Sequence, residues 1–156
     1  MKALILAAGR GQRLWPFTSD RPKCLLDIGG VTILEHQLTN LKQAGVDEVV
    51  LVCGYGVDRI RGQLDDCRIK IDVRLLYNPF YEVADNLVSL WAARADMDGD
   101  FILLNGDNVF HPDILESLLS SSPQTRLLIN FKDYYDADDM KVELSRSALR
   151  RIGKSL

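Results

Sequence analysis

Apolar segments of strand length alternate along the chain with amphipathic segments of helix length, the pattern that produces a parallel sheet covered by helices. Lys2–Leu6, Glu48–Cys53, Ile69–Tyr77, Asp100–Leu104 and Arg126–Phe131 read as strands. Several are unbroken hydrophobic runs, as strands are when both faces of a sheet are covered. Between the first two, Thr32 and Glu35 start a helix as a capping box, with Leu34, Leu38 and Leu41 on one face and Gly45 near its end. His36 falls off that face, which favours a satisfied or solvent-facing histidine over a catalytic one. Further helices are expected over Val57–Leu64, Asn86–Arg94 and Pro112–Leu119. The last has proline in its first turn, Asp113 and Glu116 near its positive end, and Ile114, Leu115, Leu118 and Leu119 as core. The polar stretch Ser120–Gln124 reads as a loop. After Phe131 the pattern changes to an acidic and aromatic segment, Asp133–Asp139, then short apolar pieces around Val142 and Ile152 that suggest a second, antiparallel layer. The expected fold is α/β, Rossmann-like, with a mostly parallel sheet and helices on both faces: one domain, 1–156, with a core over 1–131.

A chain of 156 residues, 47% hydrophobic, has the size of one core. Its charged fraction of 26% and net charge of -3 lack the basic excess of a nucleic-acid footprint, so nucleic acid is not an expected partner. Anionic substrates must then be held by a few placed cations and backbone N–H groups. Cys24, Cys53 and Cys67 form no Cys-x-x-Cys pair, and the only histidines, His36 and His111, lie far from one another in sequence, which argues against zinc. An odd cysteine count suits a reducing compartment, hence a cytoplasmic location. The six-residue apolar stretch Ala3–Ala8 is too short to cross a bilayer, and no membrane association is expected.

The chemistry is expected in the segment from Leu4 to Lys23, a buried strand followed by small residues, glycines, spaced cations and prolines. Ala7, Ala8 and Gly9 let a ligand approach the main chain. Gly9 and Gly11 permit a tight bend whose N–H groups can face phosphate oxygens. Arg13 and Lys23 supply charge from different parts of one loop whose freedom Pro16 and Pro22 limit, an arrangement that clamps a triphosphate. A dinucleotide-binding reading fits less well, because Gly9-x-Gly11-x-x-Leu14 lacks the third glycine and no acidic residue stands at the ribose distance. The P-loop pattern is absent. A plain glycine-rich turn is the blandest alternative.

Leu6-Ala-Ala-Gly-x-Gly-x-Arg-Leu-x-Pro-x-Thr18 with Arg21-Pro-Lys23 resembles the signature of nucleotidyltransferases that join an NTP to a phosphorylated acceptor. Asn105-Gly-Asp107 at a strand end resembles that family's metal-binding Gly-Asp. Asn78-Pro-Phe-Tyr81 and Asn86-Leu-Val-Ser-Leu-Trp91 resemble its cytidylyltransferase branch, which acts on phosphocholine-like acceptors. The resemblance implies the fold of nucleotide-diphospho-sugar transferases and nucleotide contacts from Leu6, Ala7, Ala8, Gly9, Gly11, Arg13, Lys23, Gly54, Tyr55, Asn86 and Asp107. It makes Arg13 and Lys23 the catalytic cations and Asp107 a Mg²⁺ ligand, which suits a hard cation at the carboxyl end of a sheet. A strand-end turn aspartate is the plainer role for Asp107, a helix N-cap for Asn86, and a simple turn for Gly54 and Tyr55.

The implied reaction is attack by an acceptor phosphate on the α-phosphorus of the NTP, releasing pyrophosphate without a covalent enzyme intermediate. Phosphocholine, inositol phosphate and sugar phosphates are the candidate acceptors. CTP is favoured on the Asn86–Trp91 resemblance alone, with UTP, GTP and dTTP as alternatives. Members of the family are usually longer, with a second metal-binding aspartate beyond residue 156, so a fragment or a shortened protein is expected, with 132–156 opening the acceptor side. Tyr134, Tyr135 and the neighbouring aspartates suit a quaternary ammonium and Lys141 a phosphate, although a solvated acidic loop is favoured there. A nucleotide-binding regulatory or interaction module without turnover is the alternative function.

Overall fold

The computed structural model describes residues 1–83, 85–120, 125–146 and 148–156. Met1–Ser122 and Pro123–Leu156 are two compact units. The first runs β1 (Lys2–Ala7), α1 (Ile33–Gln43), β2 (Glu48–Cys53), α2 (Val57–Asp65), β3 (Asp72–Tyr77), α3 (Asn86–Ala92), β4 (Phe101–Asn105) and α4 (Pro112–Leu119). Its sheet has the order β3-β2-β1-β4, and every pairing is parallel.

Period-two alternation sends the residues of each strand to opposite layers. Ala3, Ile5, Val49 and Leu51 meet Leu34, Leu38 and Leu41 of α1, Ile60 of α2 and Leu115 of α4. Leu4, Leu6, Val50 and Val52 meet Leu90 of α3 and Ala93 just beyond it. Helices therefore cover both faces, as the unbroken apolar strands predict. Each aliphatic side chain fully buried this way contributes roughly 1.5–3 kcal/mol. α1 starts where expected: the Thr32 hydroxyl accepts from the Glu35 N–H at 3.1 Å, and the Glu35 carboxylate accepts from the Thr32 N–H at 2.9 Å.

Some elements depart from expectation. Ile69 and Ile71 precede β3 and pack partly buried against the α1-side core. In α4 Leu115 alone is fully buried, whereas Leu119 borders an open groove between α1 and α4. Arg126–Phe131 forms no strand, and Leu127, Leu128 and Phe131 are exposed. An apolar run becomes a strand only with a neighbour to complete its hydrogen bonds, and no described strand pairs with this one. Of the expected Ser120–Gln124 loop, residues 121–124 lie outside those described.

In the second unit, β5 (Lys141–Ser145) and β6 (Ala148–Gly153) form an antiparallel hairpin, with a register shift between Glu143 and Leu144. The acidic segment before it is an exposed turn, in which the Asp136 carboxylate accepts from the N–H groups of Asp138 at 2.8 Å and Asp139 at 2.9 Å. Hydrogen bonding to Lys132 holds the Asp139 carboxyl below the usual carboxylate range. Among the described residues no helix is long and apolar enough to cross a membrane.

Candidate functional site

β1 and its neighbours end level, with Ala7 opposite Cys53 and Leu6 opposite Asn105. The loops that follow β1, β2 and β4 therefore emerge side by side at the carboxyl edge of the sheet. The first leaves buried Leu6, Ala7 and Ala8 and turns at Gly11, whose φ of 64° lies in the left-handed region. A 3₁₀ turn over Gln12–Leu14 follows, with Arg13 exposed on it. The Thr18 hydroxyl, almost fully buried, donates to the Gly11 carbonyl at 2.9 Å. Tyr55 braces both limbs: its N–H donates to the Ala8 carbonyl at 3.1 Å and its hydroxyl to the Ser19 carbonyl at 2.7 Å. Gly54 lies so close that a Cβ there would stand 2.8 Å from the Ala8 carbonyl oxygen. Around Gly9, by contrast, nothing lies within 4 Å of where a Cβ would be.

Lys23 opens a short 3₁₀ turn that buried Cys24 and Leu25 anchor. Its ammonium forms an ion pair with the Asp107 carboxylate, 84 residues away. The two side chains are 35% and 39% exposed, so both charges are accessible to a ligand. Asp107 stands in the turn after β4, which is held against β1 by the Gly106 N–H donating to the Leu6 carbonyl at 2.8 Å. Within that turn the Asn108 side-chain oxygen accepts from the Asn105 N–H at 2.9 Å. Asn86, exposed in the first turn of α3, donates from its side-chain amide to the Asn105 side-chain oxygen at 3.0 Å. It is not the N-cap: Asp85 fills that position, its carboxylate accepting from the Leu87 N–H at 2.9 Å.

The fold thus brings Lys23 to Asp107 and links Asn86 to the same turn through Asn105. Tyr55 emerges as a brace of the glycine loop. Two other residues escape a reading of sequence pattern. Arg10 reaches Glu82 at 3.1 Å and lies over the Tyr55 ring, 5.3 Å from its centroid. Gln37, wholly buried on α1, donates to the carbonyls of Asn105 at 2.9 Å and Asn108 at 2.8 Å. The available signal was a polar residue among Leu34, Leu38 and Leu41, because a buried amide must find partners. His36 is satisfied as expected, with Nε2 2.9 Å from the Phe110 carbonyl oxygen.

An exposed cation and carboxylate beside a glycine loop can receive a polyphosphate and its counter-ion. No group of three or more metal-binding side chains occurs among the described residues. Asp107 nevertheless fits Mg²⁺, which keeps several waters and is commonly held by one or two carboxylates together with substrate phosphates. Burial pushes the Cys24 thiol up to about 12 and raises that of Cys53 as well, so neither is an activated thiolate.

Known proteins share this arrangement of chain. Over 121 residues the sequence is 39% identical to CMP-5'-(3-aminopropyl)phosphonate synthase of Streptomyces rubellomurinus, an alignment that covers 78% of this chain and 19% of that protein. It is 31% identical over 122 residues to choline-phosphate cytidylyltransferase of Streptococcus pneumoniae, with 78% of this chain and 51% of that one covered. The chain therefore spans about half, or less, of the length of these relatives. The inositol-1-phosphate CTP transferase from T. maritima has the same fold, with a TM-score of 0.81 over 99% of this chain and 64% of the other, at 24% identity. Residues 3–134 match the MobA-like NTP transferase domain, and the chain belongs to that family.

Proposed function

We propose that this chain is the nucleotide-binding part of a nucleotidyltransferase that moves a nucleotidyl group, preferably cytidylyl from CTP, onto a phosphorylated small acceptor. Phosphocholine, inositol phosphate and sugar phosphates are the acceptor candidates. The supporting observation is the meeting of Lys23 and Asp107 beside the glycine loop, at the carboxyl edge of a parallel sheet where ligands of open α/β folds collect.

In this reading an acceptor phosphate oxygen attacks the α-phosphorus, the bond to the oxygen bridging to the β-phosphorus breaks, and pyrophosphate leaves with the electron pair. No proton transfer to the protein is needed. Lys23 moves from Asp107 to the phosphate oxygens, Arg13 adds a second cation, and the N–H groups of Gly9 and Gly11 face the same anion. Leu6, Ala7 and Ala8 supply main chain beside the nucleotide. Asp107, together with the triphosphate, holds Mg²⁺, which when bound neutralises phosphate charge. Asn86 reads a base edge, with Gly54 and Tyr55 bordering the base. The preference for CTP rests on the Asn86–Trp91 motif and on the cytidylyltransferases among the relatives. Residues 132–156 begin the acceptor side. A cytoplasmic location belongs to the same proposal and is supported by three unpaired cysteines. The net charge of -3 lacks the overall basic excess of a nucleic-acid footprint, so nucleic acid is not a proposed partner.

Thermal-shift measurements with CTP, UTP, GTP and dTTP, with and without Mg²⁺, test the site, since a ligand stabilises the fold it binds. CTP with Mg²⁺ should give the largest shift, and Lys23→Ala and Asp107→Ala should each reduce it. If neither reduces any NTP response, the site is wrong. Pyrophosphate release with the three acceptor classes tests turnover. One alternative is a binding module without turnover, whose mark would be Mg·CTP binding with no pyrophosphate released.

A further inference from the structure

One face of α1 is polar where it meets the segment after β4, and three of its residues close on main-chain carbonyls there. Gln37 donates to Asn105 and Asn108, the residues two before and one after Asp107. The Asn40 side-chain amide donates to the Phe110 carbonyl at 2.9 Å, which also lies 2.9 Å from His36 Nε2. Asn108 closes the turn on itself through the Asn105 N–H. The Asp107 carboxylate thus projects from a turn of which Gln37 grips both ends.

Gln37 itself is poorly served by this position. It has no solvent exposure, and its side-chain oxygen has no hydrogen-bond partner among the described residues. Burying an unpaired amide oxygen opposes folding. With Leu34, Leu38 and Leu41 around it, an apolar side chain would fill the position without that cost. What the amide supplies is its NH₂ group, two donors aimed at two carbonyls that frame one carboxylate. Such outer contacts fix the direction of a metal ligand.

We propose that Gln37 is a positioning residue for Asp107, holding the Asn105–Asn108 turn so that the carboxylate is preset for the Mg²⁺ that accompanies a nucleoside triphosphate. This rests on the function proposed above. Binding of Mg·CTP to the full 156-residue chain, followed by calorimetry, tests it in wild type, Gln37→Leu, Gln37→Glu, Asp107→Ala and the Gln37→Leu/Asp107→Ala double variant. A glutamate at this position keeps the side chain's length, but burial against two carbonyl oxygens favours its neutral acid, which has one proton to offer where the amide donates two. Each Gln37 variant, folded by circular dichroism, is expected to lose about ten-fold or more in affinity. In the Asp107→Ala background Gln37→Leu is expected to add nothing beyond roughly two-fold, because its effect runs through the carboxylate. A general packing role would instead lower affinity equally in both backgrounds, and that result overturns the proposal. So does near-wild-type binding by a folded Gln37 variant, or failure of both Gln37 variants to fold, which would make the residue structural. If the wild-type chain binds none of the four nucleotides with Mg²⁺, the underlying reading of the site fails, and this inference with it.

Discussion

At Gly106 a Cβ would stand 2.6 Å from the Ala7 Cβ and 2.9 Å from the Ala7 Cα, so the turn that carries Asp107 docks on β1 only because no side chain intervenes. At Gly9 the surroundings are open to 4 Å, and the residue is not among the glycines with positive φ. Neither packing nor backbone conformation requires glycine there, so any requirement must come from a ligand. Gly106→Ala is therefore expected to destabilise the chain by about 1–3 kcal/mol, the usual cost of overpacking. Gly9→Ala should leave stability within about 0.5 kcal/mol of wild type yet weaken Mg·CTP binding, because its methyl group occupies the space of the approaching phosphates. Urea denaturation and calorimetric titration of the two variants separate these effects. Unchanged CTP affinity in Gly9→Ala would take Gly9 out of the site.

Helix starts show how much of the elements was legible in the sequence and why the rest was not. The Thr32–Glu35 capping box could be read directly, since both partners lie within one turn and the geometry is local. At α3, Asp85 and Asn86 are both good capping types, and the choice between them depends on where the chain enters from the preceding turn. The structure gives the cap to Asp85 and turns Asn86 toward Asn105. Asp85→Ala is accordingly expected to cost about 1 kcal/mol of stability, whereas Asn86→Ala should cost a few tenths and instead weaken CTP binding. Melting curves paired with nucleotide titrations would detect the reverse assignment. β1 and β2 were equally legible, because their apolar runs are buried on both faces. The apolar run Arg126–Phe131 misled for the opposite reason, as its pairing depends on a neighbour that local composition cannot supply. Lys23 and Asp107 could be picked out by motif and strand end. Gln37 could not, because its partners lie 68 and 71 residues away.

In the whole molecule, the buried hydrophobic residues run from Ala3 to Leu115, all within the first unit, and no described residue of the second unit is buried. A two-stranded hairpin without a core is marginal by itself, whereas a sheet of four strands covered on both faces has the burial needed for independent folding. Every candidate nucleotide contact, from Leu6 to Asp107, also belongs to the first unit. A chain of Met1–Ser122 alone is therefore expected to fold cooperatively, with a melting temperature within about 5 °C of the full chain, a shift equivalent to roughly 1 kcal/mol at this size. It should bind Mg·CTP with the affinity of the full chain. Circular dichroism melting and calorimetry check the two halves of this expectation separately. An unfolded 1–122 chain would mean that the core depends on the hairpin unit despite the lack of burial there. A folded one that no longer binds would show that residues 123–156 reach the nucleotide, and would shift their assignment from the acceptor side to the triphosphate side.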